Sequence, residues 1–227
     1  MTTSIPLRFS AVGLLAGSLL FSLGDVLRRS VDSSSGPAPT ALTASVHDHP
    51  VTWLVAGLLS ALAPVFLVPG VCALVATTRG RGARVVGVGG ALTVLGLVAS
   101  TGHAVAYYAL FALYDRAGTD ASTISALDGA SESYPLLVAI VIAFAGGMTI
   151  GVVALLLGLR RARRVPLWAP VAAVVFAVAG SAGGVGIGVL GGVAMMAALL
   201  PAAQSLVAPP RDAVLAARNR DKEPTSA

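Results

Sequence analysis

Apolar runs long enough to cross a membrane alternate along this chain with short polar or glycine-rich breaks. Residues 9–27, 51–77, 85–111 and 135–159 each read as one helix able to span a bilayer core of about 30 Å. Residues 165–207 hold no charged side chain at all. As a single helix that stretch would be about 64 Å long at 1.5 Å per residue. It therefore has to fold back on itself, and Gly180-Ser181-Ala182-Gly183-Gly184 is the place where a turn is cheapest. The pattern predicts an all-α fold: a bundle of six transmembrane helices over 1–208, with the last two spans at 166–181 and 184–207, then a polar basic tail over 209–227.

Several spans carry glycines four residues apart: Gly13 with Gly17, Gly147 with Gly151, and the series Gly180, Gly184, Gly188, Gly192. That spacing lines them up on one helix face and lets a second helix approach closely. Pro64 and Pro69 inside the second span predict kinks, because each removes a backbone donor. Residues 30–50, with Ser33-Ser34-Ser35-Gly36-Pro37-Ala38-Pro39, read as an irregular loop. Residues 115–134 form a second, acidic loop in which Asp120 is placed to cap a short surface helix carrying Ile124 and Leu127. Trp53, Trp168 and the group Tyr107, Tyr108, Phe111 and Tyr114 read as interfacial aromatics.

Composition supports the membrane reading. The chain of 227 residues is 56% hydrophobic and 11% charged, with mean hydropathy +0.87. A soluble domain carries about 25% charged residues, so this much apolar surface would have no polar coat. The net charge of +5 sits in short loops between the spans, which points to membrane orientation and not to nucleic acid. With six spans, Arg8, Arg79, Arg81, Arg84, Arg160, Arg161, Arg163, Arg164, Arg211, Arg218, Arg220 and Lys222 share one side, and Arg28, Arg29 and Arg116 the other. Five spans would move the tail across and erase that asymmetry. Basic residues favour the cytoplasmic side, so both termini are expected in the cytoplasm of a multi-pass protein of the cell membrane.

Chemistry is sparse. A lone Cys72 rules out a disulfide within the chain and any cysteine-based metal motif, and reads as a small packed side chain. No glycine-rich phosphate loop and no G-x-S-x-G is present. The middles of the spans are almost bare of charge, unlike those of proton-coupled pumps. His103 alone lies where a haem could be ligated, and a haem carrier of this kind needs two such ligands. One constellation remains. His47, His49 and His103 all fall on the outer side, and Asp25 ends the first span at a similar depth, so the four are candidate ligands for zinc or another divalent metal. Asp25 also has a local reading, as the partner of Arg28 and Arg29 three and four residues on. No catalytic residue and no organic cofactor is indicated.

With Gly24-Asp25-Val26-Leu27-Arg28 closing the first span and Gly102-His103 in the third, the chain resembles small, uncharacterised six-span integral membrane proteins of high-GC bacteria. The resemblance lies in the layout of most of the chain. It implies the six-helix fold and carries no activity and no site residue.

Three functions fit these observations. The first is a non-catalytic membrane protein that packs with lipid, with a membrane protein partner or with its own copies through the glycine faces. The second is a transporter or channel for a small solute, and the third a membrane enzyme with an outer-face metal site.

Overall fold

A computed structural model describes residues 4–34, 36 and 38–208 and shows an all-α polytopic membrane protein. Its helices are α1 (Ser4–Val31), α2 (Pro39–Asp48), α3 (Pro50–Thr77), α4 (Ala83–Ala117), α5 (Ala121–Ser133), α6 (Pro135–Gly146), α7 (Val152–Arg161), α8 (Trp168–Gly180) and α9 (Val185–Val207). A π-helical turn at Gly147–Gly151 joins α6 to α7. Five segments are long and apolar enough to cross a membrane: Pro6–Val31, Pro50–Thr77, Ala83–Ala117, Pro135–Arg161 and Val185–Val207. Helix α8 is apolar but has only 13 residues. It rises about 20 Å, less than the thickness of a bilayer core.

The long uncharged stretch does fold back. Helix α8 stops at Gly180 and α9 starts at Val185. Gly184 sits between them at φ +96°, a conformation that side chains disfavour, and its N–H donates to Ser33 O at 2.7 Å. The fold-back is therefore tied to the end of α1.

The helices form a ring. Around it α1 packs on α3, α3 on α4, α4 on α6 and α7, α7 on α8, α8 on α9, and α9 on α1. One end of the ring gathers Arg79, Arg81, Arg84 and Arg160 to Arg164, and is called here the arginine end. There the axis is filled by one hydrophobic cluster that includes Leu14, Leu67, Leu74, Val86, Leu97, Leu155, Leu156, Leu159, Ala198 and Leu199. Glycine makes this packing close. A Cβ on Gly96 would lie 2.6 Å from Gly147 Cα, and one on Gly89 would strike the backbone of Leu155. Gly13 and Gly17 meet the α3 backbone at Phe66 and Ala63, and Gly188 and Gly192 meet Arg29 and Ser22. These glycine faces are filled from within the chain, whereas Gly180 faces open space. Arg164 fastens the same end: its guanidinium donates to Thr77 Oγ1 at 2.9 Å, Thr78 Oγ1 at 2.7 Å and Ser205 O at 3.0 Å. Burial pulls its pKa below the ordinary value, yet arginine stays a cation.

The opposite, loop end has its own core of Val31, Leu42, Val46, Trp53, Phe111, Tyr114 and Ile124. Here the structure corrects the sequence reading at three points. Residues 30–50 are not irregular throughout, because Pro39 opens α2 and Leu42 and Val46, one turn apart, bury against the bundle. Trp53 is not a belt residue. It is 1% exposed, stacks among Tyr107, Tyr108 and Phe111, and donates from Nε1 to Tyr108 O at 2.9 Å. Cys72 is exposed on α3 and not packed, which suits a weakly polar side chain beside lipid. Trp168, by contrast, is half exposed as an interfacial residue should be. Asp120 caps α5 as expected, accepting from the backbone of Ser122 and Thr123 at 3.0 Å each. Ile124 buries and Leu127 stays exposed. The polar basic tail expected over 209–227 lies outside the described residues.

Candidate functional site

The ring is not closed all the way up. Helix α8 packs on α7 and on the π turn, and no comparable packing joins it to α6 among the described residues. Helix α6 itself buries no side chain. Past the π turn the two sides of the ring therefore part, and a cavity of about 530 Å³ lies on the bundle axis at the loop end. Its walls come from α1 (Phe21, Asp25, Arg28, Arg29), α3 (Ser60), α4 (Ser100, His103, Tyr107, Tyr108), the α6–π segment (Phe144, Met148, Thr149) and the last turn of α8 (Phe176 to Ser181). Below it the leucine-rich core closes the axis. Phe21 meets Phe176 edge-on at 6.1 Å across the α1–α8 wall.

The charged wall is a triad from one helix. Asp25 Oδ2 accepts from Arg29 Nε at 2.7 Å, whereas its Oδ1 lies 3.3 Å from Arg28 Nη2 and 3.4 Å from Arg28 Nε. Local pairing at three- and four-residue spacing is thus present, as the sequence indicates. The two arginines do different work, however. Arg29 is 2% exposed and donates to the carbonyls of Ala179 (3.3 Å), Ala182 and Gly184 (3.5 Å). It gives Ala182 O its one donor among the described residues, adds a second donor to Ala179 O and Gly184 O, and places a cation at the negative end of α8. Among the described residues Arg28 makes long contacts to Asp25, lies beside Tyr107 and keeps 22% of its side chain exposed. Of the two arginines, Arg28 has the less engaged guanidinium, and it lines the cavity.

The rest of the lining is aromatic and hydroxylic. His103 is stacked between Phe144, at 5.2 Å, and Tyr107, at 5.8 Å. Tyr108 OH lies 3.4 Å from Ser60 Oγ. Ser100 Oγ is committed to Leu97 O at 2.8 Å and Thr149 Oγ1 to Ala145 O at 2.7 Å, so neither adds a free donor. A second groove of about 480 Å³ runs along the outside of α4 between α5 and α6, lined by Leu110, Leu137, Val138 and Ile140 among others. His103 and Tyr107 line both spaces, so a thin aromatic partition separates the axial cavity from the lipid-facing side.

The four candidate metal ligands do not meet as a set. Among the described residues, no group of three or more His, Cys, Asp or Glu is placed to hold a metal ion. His47 Nδ1 is 2.8 Å from Asp115 Oδ1 with 74% of its side chain exposed, and His49 is exposed at the junction of α2 and α3. Only His103 and Asp25 reach the cavity. Sequence reasoning found those two and the Asp25–Arg28–Arg29 spacing, and missed the cavity itself, the division of labour between the arginines and the part played by Ser60 and the tyrosines. Glycines along the first two thirds of α4, giving way to Tyr107-Tyr108 and Phe111, were the available signal.

No protein-family model matches the chain, and neither a curated protein nor a solved structure does.

Proposed function

We propose that this is a six-span protein of the cell membrane, with both termini cytoplasmic, that binds an amphiphile with one anionic head group in the half of the bundle facing the outer leaflet. Binding is non-catalytic. Helix α8 and its turn serve as the short fifth span, recessed beside the cavity. The anionic head meets Arg28, and the apolar part lies along Phe21, Phe144 and Phe176.

One observation carries the reading: a cavity closed by packed leucines toward the arginine end, walled by α6 and α8 where these do not pack on each other, with the loosely held Arg28 guanidinium in an aromatic wall. Charged groups at membrane depth are costly and usually answer to a ligand or an ion pathway. Arg29 is explained by the α8 carbonyls it bonds, and Arg28 is not. A packed floor argues against an open pore.

Trp53 packs on two cavity-wall tyrosines and reports on the site. With Trp168→Phe as background, dibromostearate should quench Trp53 fluorescence saturably, and dibromohexadecane, which has no head group, should not. Arg28→Gln should weaken the stearate effect about tenfold or more, since hydrogen bonds to a charged group are worth about 1.5–3 kcal/mol. Equal quenching of both backgrounds, or by both probes, would reject the proposal.

A carrier role for the same ligand class is the second reading. The π turn beside the cavity favours it, because such turns are frequent at functional sites within helices. Protein-dependent delivery of the probe to the inner leaflet of proteoliposomes would select it over simple binding.

A further inference from the structure

A second cavity lies at the other end of the molecule and has a different chemistry. It measures about 680 Å³ and is lined by Arg81, Arg160, Arg161, Arg163, Arg164, Val165 and Pro166. Among the described residues no acidic side chain pairs with any of these five arginines. Arg164 is the fixed wall, held by Thr77, Thr78 and Ser205. Arg81, Arg160, Arg161 and Arg163 are exposed and turned toward the same basin.

Orientation alone accounts for basic residues at this end, but not for how one of them is held. Helix α7 ends in a Schellman motif: Arg164 N–H donates to Leu159 O at 2.9 Å, and Arg163 N–H to Arg160 O at 2.9 Å. The residue in the left-handed position is Arg163, at φ +58°. Glycine is the usual occupant there, because a side chain in that conformation is strained. A topology signal needs arginine somewhere in the loop and has no need of it at the strained position. The left-handed turn directs the chain so that Arg163 faces the basin with Arg160 and Arg161 and brings Arg164 onto its wall.

We infer that this arginine basin binds a polyanionic phosphate head group, of the kind carried by a phospholipid with two phosphates. Planar guanidinium groups pair with phosphate oxygens two at a time, and basic pockets between helix ends at the bilayer surface suit such head groups. Pro166 and the exposed Leu167 that follows it give the basin an apolar edge where acyl chains would begin, while Val165 is buried beneath. The site stands apart from the cavity at the loop end and does not depend on the function proposed for it.

Arg163→Gly separates the roles of strain and charge. The purified full chain would be titrated with diphosphatidylglycerol, with phosphatidylcholine as the control, and the bound lipid counted by native mass spectrometry. In a parallel arm, inorganic pyrophosphate would be tested for a rise in thermal midpoint. Arg163→Gly should raise the thermal midpoint of the lipid-free protein, by relieving the turn, and weaken diphosphatidylglycerol binding about fivefold. Arg163→Lys should keep the binding, and Arg81→Gln should lower it by a similar factor without the stabilisation. Binding in the lipid arm alone identifies a membrane lipid, and binding of pyrophosphate as well identifies a site that reads the phosphates themselves. Affinities for both lipids that are equal in the wild type, or unchanged in Arg163→Gly and Arg81→Gln, would overturn the inference.

Discussion

Helix α4 passes through both halves of the bundle and lines them differently. Toward the arginine end it presents Gly89, Gly90 and Gly96, and toward the loop end His103, Tyr107, Tyr108 and Phe111. At Gly89 and Gly96 its backbone lies against the backbone of α7 and the π turn, at Gly90 it admits Val75 of α3, and the axis is filled. Where it shows rings, the neighbours stand off, and the space they leave is the cavity. Without a hydrophobic drive between helices in lipid, the width of side chains at the interface decides how near two helices come. A closed half and a hollow half thus follow from one gradient of side-chain size along one helix.

The hollow half needs a brace that the packed half does not, and Arg29 supplies it. Its removal should have the largest effect. Arg29→Met removes the side-chain donor to Ala182 O, which has no other among the described residues, strips one bond each from Ala179 O and Gly184 O, which keep the N–H groups of Ala182 and Gly188, and frees one oxygen of Asp25. Asp25 is 31% exposed and keeps Arg28, so the loss is that of hydrogen bonds to a charged group, about 1.5–3 kcal/mol for each bond removed. The thermal midpoint in detergent should fall sharply, and cysteine accessibility should show the 181–184 turn detached from α1. A midpoint close to that of the wild type would mean that the hairpin is held by packing alone.

A wedge in the packed half tests the other side of the contrast. In Gly96→Ala the new Cβ would sit 2.6 Å from Gly147 Cα, which is backbone and cannot rotate away. Overpacking usually costs about 1–3 kcal/mol. Helix α4 and the π turn should be forced apart, whereas Gly102→Ala on the same helix, whose Cβ would find only Ile140 at an ordinary 3.8 Å, should be nearly silent. Equal losses from both substitutions would show that glycine spacing does not set the distance between these helices.

How much of this was legible beforehand depends on the range of the interaction. Periodicity and run length are local, and they indicate the long apolar helices and the break after Gly180, although α1 starts at Ser4 and α4 runs on to Ala117, beyond the expected ends. The Asp25–Arg28–Arg29 pairing was legible too, because its partners share a helix turn. The acceptors that make Arg29 structural lie 150 or more residues away on α8 and its turn, and no local pattern reports them. Trp53 was misplaced for a related reason. An aromatic near a helix end looks the same in sequence whether lipid or a capping helix covers it, and α2 was the missing piece. The two histidines beside Pro50 invited a metal site by residue type, but the end of α2 points His47 at Asp115 and leaves His49 exposed.

The smallest effect is expected at the rim of the hollow half, where α5 covers the loop-end core through Ile124. Asp120 accepts from the hydroxyls and backbone N–H groups of Ser122 and Thr123, and the Ser122 bonds foremost hold its pKa well below the ordinary carboxylate value. A carboxylate whose folded-state pKa is depressed stabilises the fold fully above its unfolded value of about 4, and that contribution is lost only as pH falls toward the folded value. Amide exchange at Ser122 and Thr123 should therefore stay slow and unchanged between neutral pH and about pH 5 once corrected for intrinsic rates. Asp120→Ala should speed exchange across the first turn of α5 at every pH, and Asp120→Asn, which keeps an acceptor at the cap, should do so much less. Neither change should alter dibromostearate quenching of Trp53, because α5 contributes no wall to the axial cavity. If quenching fell with Asp120→Ala, the groove beside α5 and not the chamber at Arg28 would be where the ligand is held.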